Sequence, residues 1–321
     1  MQSISTAKAG MLAMTLTLAA LQAAAQPAAS APPAAPAASA PQRKGYATPQ
    51  ETVAALVAAL RDGDRRRMRE LLGPPAERAL HMGDAAPQHE AARQQFLDAY
   101  QHGWRIESEG DALAILHVGQ DDWPFPYPLV KLDGRWYLDA KAGQREWRDR
   151  RVGANELAAI QAALAYVDAQ RDYALKDRDH DGLLEYAQRL VSTPGHRDGL
   201  YWPTPAGAPA SPLGLAFAGA CQPASAGAAA QRPFHGYCFR ILSAQGGAAP
   251  GGALDYLVRG QMIGGFGLIA YPARYGESGI RTFIVNQDAS VYSKNLGPRS
   301  ATLAAAVRSY DPDASWHKEE R

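Results

Sequence analysis

The chain has 321 residues, of which 46% are hydrophobic and 20% are charged, a composition typical of globular proteins and long enough for two domains. Its formal net charge of +1 provides no excess of positive charge for nucleic acid or an acidic membrane surface, so neither is an expected partner.

The N-terminal segment has the layout of a secretory signal peptide. Lys8 supplies a positive charge, an uncharged apolar run follows, and small residues suitable for cleavage end at Ala25. The run is short for the roughly 20 residues of a membrane-spanning helix, and no basic stop-transfer cluster follows it. We expect a signal peptide over residues 1–25, with a retained anchor as the alternative. The cleaved protein would be periplasmic or secreted, without a transmembrane span.

Residues 26–45 form an Ala/Pro-rich tract without a large apolar side chain. Such a composition cannot bury a core, so we expect a flexible to semi-extended linker. Folded structure is expected to begin near Tyr46.

Helical signals open the folded part. Thr48 is a predicted N-cap, with Pro49 in the first turn and Glu51 three residues after the cap. Two more helical segments follow, and after Gly103 the pattern changes to strands, including a hairpin with an Asp-Gly turn at residues 133–134.

Helices followed by an antiparallel sheet predict a small α+β domain over residues 46–145. Its element order is similar to the cone-shaped folds of the nuclear-transport-factor and cystatin types.

Within this domain, residues 123–128 alternate aromatic residues with proline, which enforces an extended backbone. One interpretation is an edge segment whose rings cover the sheet. The other is an aromatic ridge in which Trp123 and Phe125 contact a ligand.

A charged stretch is predicted to connect this domain to a second one over residues 146–321. The second domain would contain a long helix from Asn155, a short helix after an aspartate-rich loop, alternating strands, and a last helix over residues 300–310. This α+β order is similar to a pilin-type globular head, in which one long helix packs on an antiparallel meander. The chain lacks the processing site of a pilin subunit, so a filament subunit is not expected.

The stretch "KDRDHDGLLEY" has the spacing of a calcium-binding loop. Gly182 falls at the sharp turn, whereas Gln188 stands where an EF-hand has a bidentate Glu, which predicts a weak site of about 0.1 to 1 mM. The alternative is an acidic turn that caps a helix. The expected ion is a structural Ca²⁺, and its predicted ligands are Asp177, Asp179, Asp181, Leu183 through its carbonyl, Glu185 and Gln188.

The two cysteines, Cys221 and Cys238, both lie in the C-terminal half. In an oxidising compartment they are expected to form one disulfide, worth about 3 kcal/mol by the chain-entropy estimate. The alternative is a Cys238 thiolate beside His235, although residues three apart on a strand face opposite sides.

The segment "PGHRDGLYWP" gathers a base, a cation, a carboxylate and two aromatic rings. Such a loop could contact a ligand, or it could be a loop held down by its own Tyr and Trp. The residues concerned are His196, Arg197, Asp198, Tyr201 and Trp202.

Many of these motifs together resemble one bacterial family, the domain-of-unknown-function family 2950, over residues 46–316. The resemblance implies an exported protein of unestablished activity and supplies no catalytic residues. It also implies that the cysteine pair is an accessory feature of this chain. The motifs include "DDWPFPYPLVK", "DHDGLLEYAQRL", "DGLYWP", "DYLVRGQMIGGF" and "AYPARYGESGIRTFIVNQ".

The sequence contains no nucleophile elbow, zinc-protease helix or P-loop. We therefore expect an exported, non-enzymatic binding or assembly protein of the cell envelope, with a structural calcium loop and an unidentified partner. The alternative from another class is an envelope hydrolase that uses the loop Arg197–Trp202 and a cleft between the domains.

Overall fold

A computed structural model describes residues 43–73, 87–178, 180–205, 207–221 and 232–320. The predicted signal peptide and most of the predicted linker lie outside these residues. The described residues form helices and antiparallel sheets, which confirms the α+β class.

Three helices precede the first sheet: α1 (Pro49–Arg61), α2 (Arg65–Leu72) and α3 (Pro87–His102). Thr48 caps α1 as predicted, because its hydroxyl accepts the backbone N–H of Glu51 at 3.1 Å. The apolar faces of α1 and α2 are buried against the first sheet.

The first sheet is antiparallel and five-stranded, in the order β1-β2-β4-β5 with β3 paired to β2. The predicted hairpin joins β4 to β5, and Asp133 and Gly134 both have positive φ, 50° and 75°, as the favoured two-residue turn requires. The strands are β1 (Trp104–Glu109), β2 (Leu113–Val118), β3 (Trp123–Pro124), β4 (Leu129–Leu132) and β5 (Arg135–Leu138).

A single 34-residue helix, α4 (Ala140–Tyr173), follows this sheet. Its N-cap is Asp139, whose carboxylate accepts the backbone N–H groups of Lys141 and Ala142, each at 3.0 Å. The prediction of a charged connection followed by a helix from Asn155 was therefore wrong, since the charged stretch is itself helical. The predicted boundary between residues 145 and 146 falls inside α4, and the division into 46–145 and 146–321 stays a prediction.

A second five-stranded antiparallel sheet, the main sheet, has the order β17-β15-β14-β13-β8. One face packs against α4, and the other packs against the short helix α6. The predicted last helix is shorter than expected: α6 ends at Ala306, because residues 309–310 pair in parallel with β9.

The elements after α4 are β6 (Arg189–Val191), β7 (Gly199–Tyr201), α5 (Leu215–Ala218), β8 (Tyr237–Leu242), β9 (Ala244–Gln245), β10 (Leu254–Asp255), β11 (Leu257–Val258), β12 (Gln261–Met262), β13 (Gly267–Pro272), β14 (Thr282–Asn286), β15 (Val291–Lys294), α6 (Ser300–Ala306), β16 (Ser309–Tyr310) and β17 (His317–Lys318).

The short helix predicted after the aspartate-rich loop does not form in the described residues 180–191, where the chain is extended and enters β6. The cause is a long-range side-chain contact. The amide of Gln170 binds both the N–H and the carbonyl of Ala187 at 2.8 Å, and Tyr186 donates its N–H to the Met262 carbonyl at 2.8 Å. These partners replace the hydrogen bonds that a helix would make.

The predicted disulfide is confirmed. Cys221 and Cys238 are bonded, with their Cα atoms 5.3 Å apart. The bond ties the end of the α5 region to strand β8, and neither sulfur is free to act as a thiolate.

Candidate functional site

Six aromatic side chains form a continuous surface feature, which we call the aromatic ridge. Trp104 stacks on Tyr100 with ring centres 5.4 Å apart and planes 9° from parallel. The ridge continues through ring contacts of 5.1 to 6.4 Å and ends where the centre of Trp123 lies 6.3 Å from that of Trp147. Its members are Phe96, Tyr100, Trp104, Trp123, Phe125 and Trp147.

Four elements position these rings. Phe96 and Tyr100 are one helical turn apart on α3, and Trp147 lies on α4. Trp104 and Trp123 both pair with Val118 of β2, from opposite sides. Directly paired residues share a face of the sheet, so both indoles lie on the face of Val118, one on each side of it. Their Cα atoms are about 10 Å apart, which is twice the interstrand spacing.

The ridge has a buried floor and exposed indoles. Phe125 is only 7% exposed, whereas Trp104, Trp123 and Trp147 are 45%, 38% and 41% exposed. Several large aromatic side chains exposed on one surface are a feature of interaction sites. Of the two predicted contact residues, Trp123 is thus a surface ring and Phe125 supports it.

The Arg150 side chain holds Trp123, the ring next to the Trp147 end of the ridge, in place. The Arg150 guanidinium carbon lies 5.1 Å from the centre of the Trp123 ring. The same side chain donates to the Pro124 carbonyl at 2.9 Å and to Glu146 at 2.7 Å, so its orientation is held from two sides. Trp123 is therefore preorganised by a cation–π contact as well as by its neighbouring rings.

The opposite face of β1 and β2 carries a charge network. Arg105 donates to Asp122 through Nε at 2.7 Å and to Glu107 through Nη1 at 2.7 Å. The hydrogen bond from Arg105 lowers the pKa of the Asp122 carboxyl below its usual value. This network holds the turn between β2 and β3, directly before Trp123.

In the predicted calcium loop, Asp177 accepts the backbone N–H of Gly182 at 2.9 Å and that of His180 at 2.7 Å. Asp181 accepts the N–H of Leu183 at 2.9 Å. These bonds fold the loop back on itself. Asp179 lies outside the described residues.

Two further predicted ligands, Glu185 and Gln188, lie in the C-terminal half of the loop. The amide of Gln188 donates to the Gly260 carbonyl at 2.7 Å, and Glu185 is half-buried. Among the described residues, which leave out Asp179, no group of three or more His, Cys, Asp or Glu side chains is gathered closely enough for a metal ion. The calcium ligands stay a prediction.

The segment 196–202 lies against this loop. The Trp202 ring is 7% exposed and packs between the guanidinium groups of Arg178 and Arg197, each 5.5 Å from its centre. Tyr173 donates its hydroxyl to the Arg197 carbonyl at 2.6 Å. The structure thus brings together the two predicted sites, and Trp202 joins them.

Asp198 belongs to a tight turn. It accepts the N–H and the hydroxyl of Thr193, both at 2.7 Å. Burial favours its neutral form, but the bonds from Thr193 and the charge of Arg189 outweigh burial and lower the pKa of Asp198. His196 is exposed, and Tyr201 lies in β7.

Sequence reasoning missed four members of the ridge: Phe96, Tyr100, Trp104 and Trp147. A weak signal existed, since Phe96, Tyr100 and Trp104 follow one another at intervals of four across a helix end. No sequence signal indicated Trp147, because its neighbours in the chain are charged residues.

In the part of the chain that the structure describes, no helix combines the length and apolarity needed to cross a membrane. The family described as "Protein of unknown function (DUF2950)" matches residues 43–319. Comparison with curated proteins found no match, and comparison with solved structures found none.

Proposed function

The chain belongs to the family of proteins of unknown function DUF2950. We propose that it is an exported, non-enzymatic binding protein of the cell envelope whose aromatic ridge holds a glycan strand. The observation that carries the proposal is the group of three half-exposed indoles, each held by a contact with another ring. Export rests on the signal-like residues 1–25.

A glycan fits this row for two reasons. The face of an aromatic ring is negative and attracts the slightly positive C–H groups on the flat face of a sugar ring. The exposed rings of Trp123 and Trp147 also lie 6.3 Å apart, and Trp104 lies two strands away, so the ridge offers several stacking positions to a polymer of rings.

The rings are also rigid. Each exposed indole contacts another ring, and Trp123 is held by Arg150 as well. Immobilising a free side chain on binding costs about 0.5 to 1.5 kcal/mol, and a preorganised ring avoids most of this cost. The ridge should therefore bind without rearrangement of the sheet beneath it.

The proposal is tested by calorimetry with soluble β-1,4-linked oligomers of glucose and of N-acetylglucosamine. Each of Trp104→Ala, Trp123→Ala and Trp147→Ala is expected to weaken binding about tenfold, equivalent to about 1.4 kcal/mol, because each removes one stacking platform. Trp316→Ala is the matched control, since this indole lies outside the ridge, and it should leave the affinity unchanged.

Failure of every oligomer to bind, or equal affinity for the parent and all three ridge variants, would contradict glycan binding. The protein for this experiment is taken from the periplasmic or secreted fraction. Recovery only from the cytoplasm would contradict export, whatever the calorimetry shows.

We further propose that the loop 177–188 binds a structural Ca²⁺. The support is its folding around carboxylates: Asp177 holds Gly182, and Asp181 holds Leu183. Carboxylate oxygens are the ligands that Ca²⁺ prefers in proteins. An ion there would also stabilise the adjoining Trp202 segment.

For this calcium site we expect a rise in melting temperature in millimolar Ca²⁺ relative to EDTA. A ligand at 100 times its Kd stabilises the folded state by about 2.7 kcal/mol. Asp179→Ala and Asp181→Ala should each abolish the rise, whereas Asp168→Ala, a change at an exposed acid on α4, should preserve it. Identical melts in Ca²⁺ and EDTA would refute the site.

We also propose a fold type for each half of the chain. The second half would be pilin-like, which is supported by α4 packing on the main sheet and by the bond from the Tyr166 hydroxyl to the Gly267 carbonyl at 3.1 Å. The first half would be cone-like, which is supported by α1 and α2 packing on the first sheet.

A further inference from the structure

A groove on the face of the main sheet that does not contact α4 has the dimensions of a ligand site. Its volume is about 590 Å³, within the range of about 300 to 1,000 Å³ that small-molecule sites occupy. We call it the outer groove. It lies between β14, the end of β15, helix α6 and the C-terminal segment.

The outer groove has an apolar floor and one aromatic wall. Ile284 projects from the middle of β14, and Leu303 and Val307 come from α6 and the residue after it. Trp316 forms a wall, and the Nζ of Lys294 lies 5.7 Å from the centre of its ring. A ligand there would have apolar surface on two sides.

Two cations line the groove with most of their hydrogen-bond donors unused. Lys294 donates to the Ser315 hydroxyl at 2.5 Å, and Arg308 donates through Nη1 to the Ala305 carbonyl at 2.7 Å. An ammonium has three N–H donors and a guanidinium five. Within the described residues neither side chain lies within 4.0 Å of a carboxylate oxygen.

A third cation lies beneath the same helix end. Arg240 donates to the Ala304 carbonyl at 2.7 Å, and its buried Nε has no hydrogen-bond partner among the described residues. Burial lowers the pKa of Arg240, and the nearby charge of Arg308 lowers it further. The positive charge is thus concentrated at this end of the groove.

Two carboxylates lie near the groove, and each accepts a backbone N–H. Asp311, which lines the groove, accepts the Ala248 N–H at 2.8 Å, and Asp313 accepts the Ser315 N–H at 2.8 Å. Neither forms an ion pair with Lys294 or Arg308 in the described residues. Hydrogen bonds from Ser315 and the charge of Lys294 lower the pKa of Asp313. The lining itself carries the two positive charges of Lys294 and Arg308 against the one negative charge of Asp311, so its net charge favours an anion.

We propose that the outer groove binds a small organic carboxylate with an apolar or aromatic body. The carboxylate would accept hydrogen bonds from Lys294 and Arg308, and the body would lie on Val307 and against Trp316. This site is separate from the aromatic ridge and does not depend on the proposed glycan binding.

The test uses the full-length chain with 4-phenylbutyrate and its neutral amide, 4-phenylbutyramide, in parallel calorimetric titrations. The acid is expected to bind and the amide to bind at least tenfold more weakly, since only the acid uses the two cations. Lys294→Gln and Arg308→Gln should each weaken binding of the acid by about tenfold. Lys318→Gln, a change at an exposed lysine outside the groove, is the control and should not change it.

A second readout places the ligand. The indole N–H resonance of Trp316, assigned through Trp316→Phe, should move as the acid is added. Binding of acid and amide with equal affinity, no binding of the acid, an equal loss with Lys318→Gln, or an unmoved Trp316 resonance would each overturn the proposal.

Discussion

Gly143→Ala is expected to destabilise the protein by about 3 kcal/mol, the upper end of the usual cost of overpacking a core. A Cβ at this position of α4 would lie 2.5 Å from both Cγ and Cε1 of the Tyr127 ring, far inside van der Waals contact. Tyr127 is fully buried, and its ring centre lies 5.5 Å from that of Phe125. The tyrosine ring therefore has no space into which it could move. Urea or thermal melts of the two proteins measure the loss.

The same helix provides the control. A methyl group added at the exposed Gly153 would meet no atom within 4 Å apart from its chain neighbours and the backbone of its own helix, so Gly153→Ala should stabilise α4 by up to about 1 kcal/mol through helix propensity. Tyr127→Ala combined with Gly143→Ala should cost less than the sum of the single changes, because the ring that clashes is gone. Equal stability of the Gly143 and Gly153 variants would show that the contact is not as tight as described.

Gln170→Leu is expected to cost about 3 kcal/mol. The Gln170 amide accepts the Ala187 N–H at 2.8 Å and donates to the Ala187 carbonyl at 2.8 Å and to the Tyr166 hydroxyl at 2.9 Å, and all three residues are buried. Leucine nearly preserves the volume but removes the partners. A buried polar group left without a partner costs about 1 to 3 kcal/mol.

The loss should have a local signature. Hydrogen exchange of residues 183–191 should accelerate more than that of the main sheet, since Gln170 holds this segment to α4. Gln161→Leu is the matched control on the same helix; it changes an exposed side chain and should alter stability by no more than about 0.5 kcal/mol. Unchanged exchange in residues 183–191 would contradict the role of Gln170.

Features set by neighbouring residues could be predicted from the sequence. The cap at Thr48 and the turn at Asp133 and Gly134 depend on a few adjacent residues, and both form as predicted. The disulfide was also predictable, because the chain has only two cysteines.

Features that depend on residues far apart in the chain could not be predicted from the sequence. The first half of α4 has no apolar stripe to reveal it, and its charged residues bind groups far along the chain, as Glu156 does with the N–H groups of Ile280 and Arg281 at 2.8 and 3.0 Å. The helix predicted after the aspartates is displaced by the amide of Gln170, 17 residues before Ala187. The aromatic ridge is assembled from four elements, so only Trp123 and Phe125, which are close in sequence, suggested it.

The unbroken course of α4 has a mechanical consequence. At 1.5 Å per residue the helix is about 51 Å long, and its neighbouring residues Arg150 and Arg151 bind Pro124 before it and Glu277 after it. A force applied at Trp147 would pass as tension along one run of backbone hydrogen bonds to the main sheet. The two halves of the chain would then resist extension together and not yield one after the other.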